Sequence, residues 1–197
     1  IGDTLWVEQN LQFNLSRSQE QLQQLGQDHF ANDKPAANFS ARIRSFLLNN
    51  PGIAHVRILD ADGLPLRRDP GVAGGADVGE DLRAEPVRQA FIISRSTGLP
   101  TFGASQETGG EWHFALLVPH FRDGRHAGSL VAMYSFRKLL ADQVPWWFAQ
   151  KYRLSVVDAN GAILGSKSNI EAGEETLRHR IPFDPPGHGL VLVATAY

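Results

Sequence analysis

The stretch EWHFALLVPHFRDGRHAGSLVAMYSF, residues 111–136, decides the fold. Two runs rich in β-branched and aromatic residues flank Asp123-Gly124, a pair suited to a two-residue hairpin because glycine accepts the positive φ of a type I′ turn. Two long antiparallel strands are therefore expected. With that turn, Arg122 pairs with Arg125 and His113 falls opposite Tyr134. One face then carries Trp112, Phe114, Leu116 and Val118 beside Val131 and Met133, a continuous apolar surface for a helical layer. The other carries His113, Ala115 and Leu117 beside Tyr134, Ala132, Leu130 and Gly128. Small residues in its middle and hydrogen-bonding rings at its margin describe the floor of a small-molecule pocket. In the alternative, residues 64–105 simply fill the gap while His113 and Tyr134 satisfy one another.

Upstream of the hairpin, residues 53–59 alternate as a strand, Asp60-Ala61-Asp62-Gly63 turns the chain, and Leu64-Pro65-Leu66 starts a return. A glycine-rich loop at 71–79 follows, then a helix over about 81–94 carrying Leu82, Val87, Phe91 and Ile92, and a strand over 99–105. Residues 3–28 form a long helix in which Leu11, Leu15, Leu22 and Leu25 make a short seam. That seam either packs on its own domain or pairs with a second copy, with Trp6 and Phe13 as a second apolar line. A break at 32–35 leads to another helix, with Pro35 in its first turn and Phe39, Ile43, Phe46 and Leu47 on one face, ending near Asn49.

Downstream, residues 137–151 read as a helix that Pro145 interrupts or kinks. Strands follow at 152–157, 162–164, 176–181 and 189–195. Val157-Asp158-Ala159-Asn160-Gly161 repeats Leu59-Asp60-Ala61-Asp62-Gly63 about 98 positions later, which points to a duplicated module. The expected class is α+β, with long amino-terminal helices packed on a PAS-like antiparallel sheet and then a smaller PAS-like module. The expected divisions are a helical region (1–50), a ligand-binding module (51–136), a linking helix (137–151) and a small module (152–197). Trp146-Trp147-Phe148 anchors the linker or offers a membrane-interface or partner surface.

Composition excludes several functions. A formal net charge of -2 supplies no global positive field for nucleic acid. With no cysteine there is no disulfide framework, Cys-ligated zinc or thiol nucleophile, as suits an oxidising compartment. Neither a GxxxxGK[ST] loop nor an HExxH helix occurs, and the histidines are scattered, so no catalytic residue, metal site or cofactor is expected. No apolar run reaches the roughly 18–20 residues of a membrane span. The start at Ile1 and the stop at Tyr197 suggest a segment of a longer protein, with membrane helices flanking it.

The stretch from 53 to 140 resembles the Cache (PDC) sensor domains of bacterial histidine kinases and chemoreceptors. Ile58-Leu59-Asp60-Ala61-Asp62-Gly63 is similar to their strand followed by D-x-x-G. Asp81-Leu82-Arg83 with Gln89-Ala90-Phe91 resembles the helix that covers their pocket. Leu117-Val118-Pro119, Gly124 and Gly128-Ser129-Leu130-Val131 resemble their hairpin, and Phe136-Arg137-Lys138-Leu139-Leu140 their exit helix. With the second module, the chain resembles a double Cache region, although that module is short and the R-x-W-Y run of amino-acid-binding members is absent.

The resemblance implies a periplasmic sensor domain, flanked by membrane helices and dimeric through its amino-terminal helices, that binds a small molecule such as a carboxylate and signals to a histidine kinase. It places Arg83 as the planar partner of an acidic group and Phe102 among the residues closing the pocket, with His113, Ala115, Tyr134 and Arg57 completing the candidate set. A chemoreceptor or diguanylate cyclase output stays open. So does a protein-interaction module with no small ligand.

Overall fold

The computed structural model describes residues 2–32, 34, 37–66, 82–170 and 177–197. Asp33, Pro35, the glycine-rich loop at 71–79 and Asp81 lie outside the described residues. Two helices open the chain, α1 (Gly2–Phe30) and α2 (Phe39–Asn49). After them come β1 (Ile53–Asp60), α3 (Glu85–Thr97), β2 (Thr101–Phe102), β3 (Gln106–Thr108), β4 (Glu111–Arg122) and β5 (Arg125–Ser135). The strands form an antiparallel sheet in the order β1-β5-β4-β2, with β3 also on β4. Two short helices, α4 (Phe136–Gln143) and α5 (Trp146–Ala149), lead to β6 (Tyr152–Val157), β7 (Ile163–Lys167), β8 (Arg178–Pro182) and β9 (Val191–Ala196). These make a second antiparallel sheet ordered β7-β6-β9-β8. The architecture is α+β and PAS-like.

Helix α1 ties the two sheets together. Val7, Leu11, Leu15, Leu22 and Leu25 are buried in one core with Phe114, Leu116, Val118, Leu130, Ala132 and Tyr134 of the first sheet. The same core continues through Phe136, Leu140 and Phe148 to Leu154, Val156, Leu192 and Ala194 of the second. The leucine seam is thus spent inside the chain, each large side chain contributing roughly 1.5–3 kcal/mol by burial. Polar contacts pin the amino-terminal half of α1: the Gln12 amide donates to the Asp184 carbonyl at 2.9 Å, and Trp6 packs on Trp147 with ring centroids 5.5 Å apart. The expected long linker helix is two pieces, because Val144 precedes Pro145 and sits extended (φ -87, ψ 117).

The hairpin turn forms as expected, with Asp123 and Gly124 both at positive φ (52 and 73) and Arg122 opposite Arg125. The register then departs from the simple alternation. Phe121 pairs with His126 but His120 pairs with Gly128, so Ala127 is an extra residue, a β-bulge. The His126 ring holds the bulge by donating from Nδ1 to the Ala61 carbonyl and accepting at Nε2 from the Ser129 hydroxyl, both at 3.1 Å. One extra residue turns every later β5 side chain to the other face. His113 therefore lies opposite Ser135 rather than Tyr134, and Phe114 opposite Tyr134. Leu130, Ala132 and Tyr134 belong to the α1-facing core, and Val131 and Met133 to the opposite face, reversing the expected assignment.

The duplicated turns match in detail. Asp60 Oδ1 accepts from the amides of Asp62 (2.9 Å) and Leu64 (2.8 Å), and Asp158 Oδ1 accepts from those of Asn160 (2.9 Å) and Ala162 (2.8 Å). Gly63 and Gly161 share φ 85, a value that L side chains rarely adopt.

Near the carboxyl end of α1, His120 is buried against Gly26 and stacked on Phe30, with ring centroids 5.4 Å apart. Burial, assisted by the neighbouring His126 and His29, pushes its pKa down to about 4 from the ordinary 6.5. The unfolded chain thus binds the extra proton between those values, so the neutral ring's contribution is complete above about pH 6.5 and is lost as pH falls through 4. Urea unfolding is expected to show stability declining from pH 7 to 4, with a His120→Leu variant losing about 3 kcal/mol less over that interval.

Candidate ligand site on the first sheet

With α1 covering one face of the first sheet, the other is packed by α3. Val87, Ala90 and Phe91 of α3 meet Leu59, Ala115, Leu117, Val131 and Met133, with Leu82 and Ala84 packed against them. Helix α3 starts at Glu85, four residues later than expected, with Pro86 in its first turn and the left-handed Gly98 as its stop. The main chain of Pro86 approaches Gly103, where a Cβ would lie 3.0 Å from its carbonyl oxygen. The bulge decides which residues share this face. Arg57 lies across from Val131 and His55 across from Met133; Met133 faces Ala115, and His113 faces Gln106 on β3. An apolar floor is thus bordered by Arg57, His55, His113 and Gln106.

The chemistry of the border is specific. Arg57 is 6% exposed, a buried guanidinium on a sheet face. The His113 ring donates from Nδ1 to the Glu111 carbonyl at 3.1 Å, which leaves Nε2 as the acceptor in the neutral ring. Burial holds its pKa below the ordinary histidine value, against the raising influence of the Glu111 carbonyl and carboxylate. The Gln106 amide donates to the Met133 sulfur at 3.6 Å, while its Oε1 is buried with no hydrogen-bond partner among the described residues. An unpaired buried carbonyl costs about 1–3 kcal/mol, so a ligand donor would be well received there.

Glu111 extends the border to the linker. Its carboxylate bonds the guanidinium of Arg137 in the first turn of α4, and this contact holds the carboxyl below the usual range. The carboxylate also lies 3.6 Å from His113 Nε2, an ion pair whenever the ring is protonated. At the other end of α4, Lys167 of β7 donates to the carbonyls of Ala141 (2.7 Å) and Val144 (2.5 Å). Glu111 thus ties the first-sheet face to the start of α4, and Lys167 ties the end of α4 to the second sheet.

The six residues named from sequence divide. Arg57, His113 and Ala115 share the α3-facing side. Tyr134 does not: it is stacked on Phe114 (4.8 Å, 2° between planes) on the α1 side, its hydroxyl 2.5 Å from that of Ser18. Phe102 pairs with Leu116 and packs near Phe114, also on the α1 side. Arg83 is exposed, two residues before α3. Sequence reasoning missed His55 and Gln106. Period-two alternation from Arg57 gives His55 directly, whereas Gln106 sits on a three-residue strand with no apolar alternation of its own. Among the described residues no group of three or more His, Asp or Glu side chains could hold a metal ion.

Known proteins share this fold. No protein-family model matches the chain. The ligand-binding domain of the Pseudomonas aeruginosa amino acid chemoreceptor PctC, solved in complex with GABA, superposes with a TM-score of 0.61 at 16% identity, covering 97% of this chain and 95% of that one. The extracellular domain of the histidine kinase rpHK1S-Z16 gives 0.60 at 18% identity, covering 98% and 90%. The chain has the fold of a bacterial extracellular sensor domain. In sequence, this chain is 30% identical over 195 residues to the C4-dicarboxylate transport sensor protein DctS of Rhodobacter capsulatus. That alignment takes in 99% of the chain but 27% of the relative's length. No helix among the described residues is long and apolar enough to cross a membrane.

Proposed function

We propose that this chain is the extracytoplasmic sensor region of a bacterial transmembrane receptor and that it binds a small carboxylate on the α3-facing side of the first sheet. The buried Arg57 guanidinium, beside His55 over an apolar floor, carries this assignment. A guanidinium offers two parallel N–H donors to a carboxylate, and apolar walls strengthen that contact by excluding water. Similarity to a C4-dicarboxylate sensor makes a short dicarboxylate the first ligand to test, and the missing R-x-W-Y run speaks against an amino acid. Arg83, exposed beside the entry to α3, is a further cation for the same ligand if α3 closes over it. Residues 51–136 then act as the binding module, 137–151 as the linker and 152–197 as a second module.

In this scheme a ligand that binds one sheet–helix arrangement more tightly than another shifts their populations, and the shift passes through Glu111, Arg137 and α4. The chain itself performs no chemistry. The output of the whole receptor is a histidine kinase, with chemoreceptor or diguanylate cyclase as alternatives. In the receptor the outer side of α1, where Leu5 and Phe13 are exposed, faces a second copy. Light scattering at high concentration is expected to show a dimer that Phe13→Lys dissolves; a monomer at every concentration contradicts that arrangement.

Ligand-free protein heated with succinate, fumarate or L-glutamine tests the binding. A ligand present at about 100 times its dissociation constant stabilises by about 2.7 kcal/mol, or about 5–10 °C in a chain of this size. Succinate or fumarate is expected to give such a rise and L-glutamine none. Arg57→Ala and His113→Ala remove the rise, whereas Tyr134→Phe keeps it while costing about 1 kcal/mol of stability. No response to either dicarboxylate favours the interaction module instead.

A further inference from the structure

The geometry points to a second anion-binding site on the outer face of the second sheet, built around Arg153. The matched turns at Asp60 and Asp158 set β1 and β6 in the same frame, and the packing agrees. Val56 and Ile58 lie in the α1-side core, as do Leu154 and Val156. The opposite side of β1 carries His55, Arg57 and Leu59; the opposite side of β6 carries Arg153, Ser155 and Val157. Neighbouring strands correspond as well, since β1 pairs antiparallel with β5 and β6 with β9. The face of β6 bearing Arg153 is therefore the counterpart of the face proposed to bind ligand in the first module.

That face is concave and carries arginine. A hollow of ≈ 420 Å³ is lined by Arg153, Ser155, Ser166, Ser168 and Asn169, with Ile163 and Ile170 as apolar walls. Arg153 and Arg178 both lie across from Thr195, and Arg180 lies across from Val193, which in turn faces Ser155. Arg153 and Arg180 thus border a strip of hydroxyls on one sheet face. Among the described residues no carboxylate pairs with Arg153 or Arg180. Ser155 is 6% exposed, so its hydroxyl sits on the floor rather than at the rim. Half-buried Arg153 supplies the fork, hydroxyls and an amide supply donors, and two isoleucines limit size. These are the components of a site for a small carboxylate or phosphate.

The test is a ¹H–¹⁵N titration of the chain, separately with succinate and with inorganic phosphate. With at least one of them, saturating shifts are expected at the amides of Arg153, Ser155, Ser166, Ser168 and Thr195, and the two titrations tell carboxylate from phosphate. Arg153→Ala is expected to weaken this response at least tenfold. Ser166→Trp, an exposed position where a bulky ring fills the hollow without touching the core, is expected to abolish it. Arg57→Ala leaves it unchanged, which separates this site from the one on the first sheet. Shifts confined to β1, β4 and β5, no saturating response to either anion, or a response that survives both Arg153→Ala and Ser166→Trp overturns the proposal.

Discussion

Everything in this fold depends on one helix lying across two sheets. Helix α1 has 29 residues, about 43 Å at 1.5 Å each. Its amino-terminal half holds the second unit through Gln12, Asp184 and the Trp6–Trp147 contact, and its carboxyl half presses Gly26 against His120 of the first sheet. The approach at Gly26 is so close that a Cβ there would lie 1.7 Å from the histidine ring. Because an antiparallel sheet has two faces and α1 consumes one, only the other can serve a ligand. The division of labour between faces follows from burying one leucine stripe.

The bulge at Ala127 adjusts the hairpin to that demand. Without it, Tyr134 would leave Phe114 and Ser18, and Met133 would turn into the leucines of α1. With it, the large ring joins the helix-side core, and the α3-facing floor is left with Ala115, Leu117, Val131 and Met133. His113, at the border of that floor, is then tied through Glu111 to Arg137, in the first turn of α4. A contact there is one salt bridge away from α4.

Much of the architecture was legible in the sequence because it rests on local rules. The Asp123-Gly124 turn, the duplicated Asp-x-x-Gly turns and the break at Pro145 each follow from backbone preferences of one or two residues. The bulge was not legible, since His126-Ala127-Gly128 alternates as plausibly without it and its anchor, the Ala61 carbonyl, comes from far along the chain. That single residue misplaced Tyr134, while His113 and Ala115, lying outside the flipped segment, kept their face. Phe102 was misplaced for a related reason: β2 has only two residues, so its facing is set by pairing with Leu116 rather than by any pattern of its own.

The most direct measurement is a crystal structure of the chain grown with a C4-dicarboxylate. The account predicts a carboxylate held by the Arg57 guanidinium, with the ligand lying over Ala115 and Met133 beneath α3. Density for the ligand on the α1 side, or an α3 face completely filled by the protein's own side chains, would contradict it.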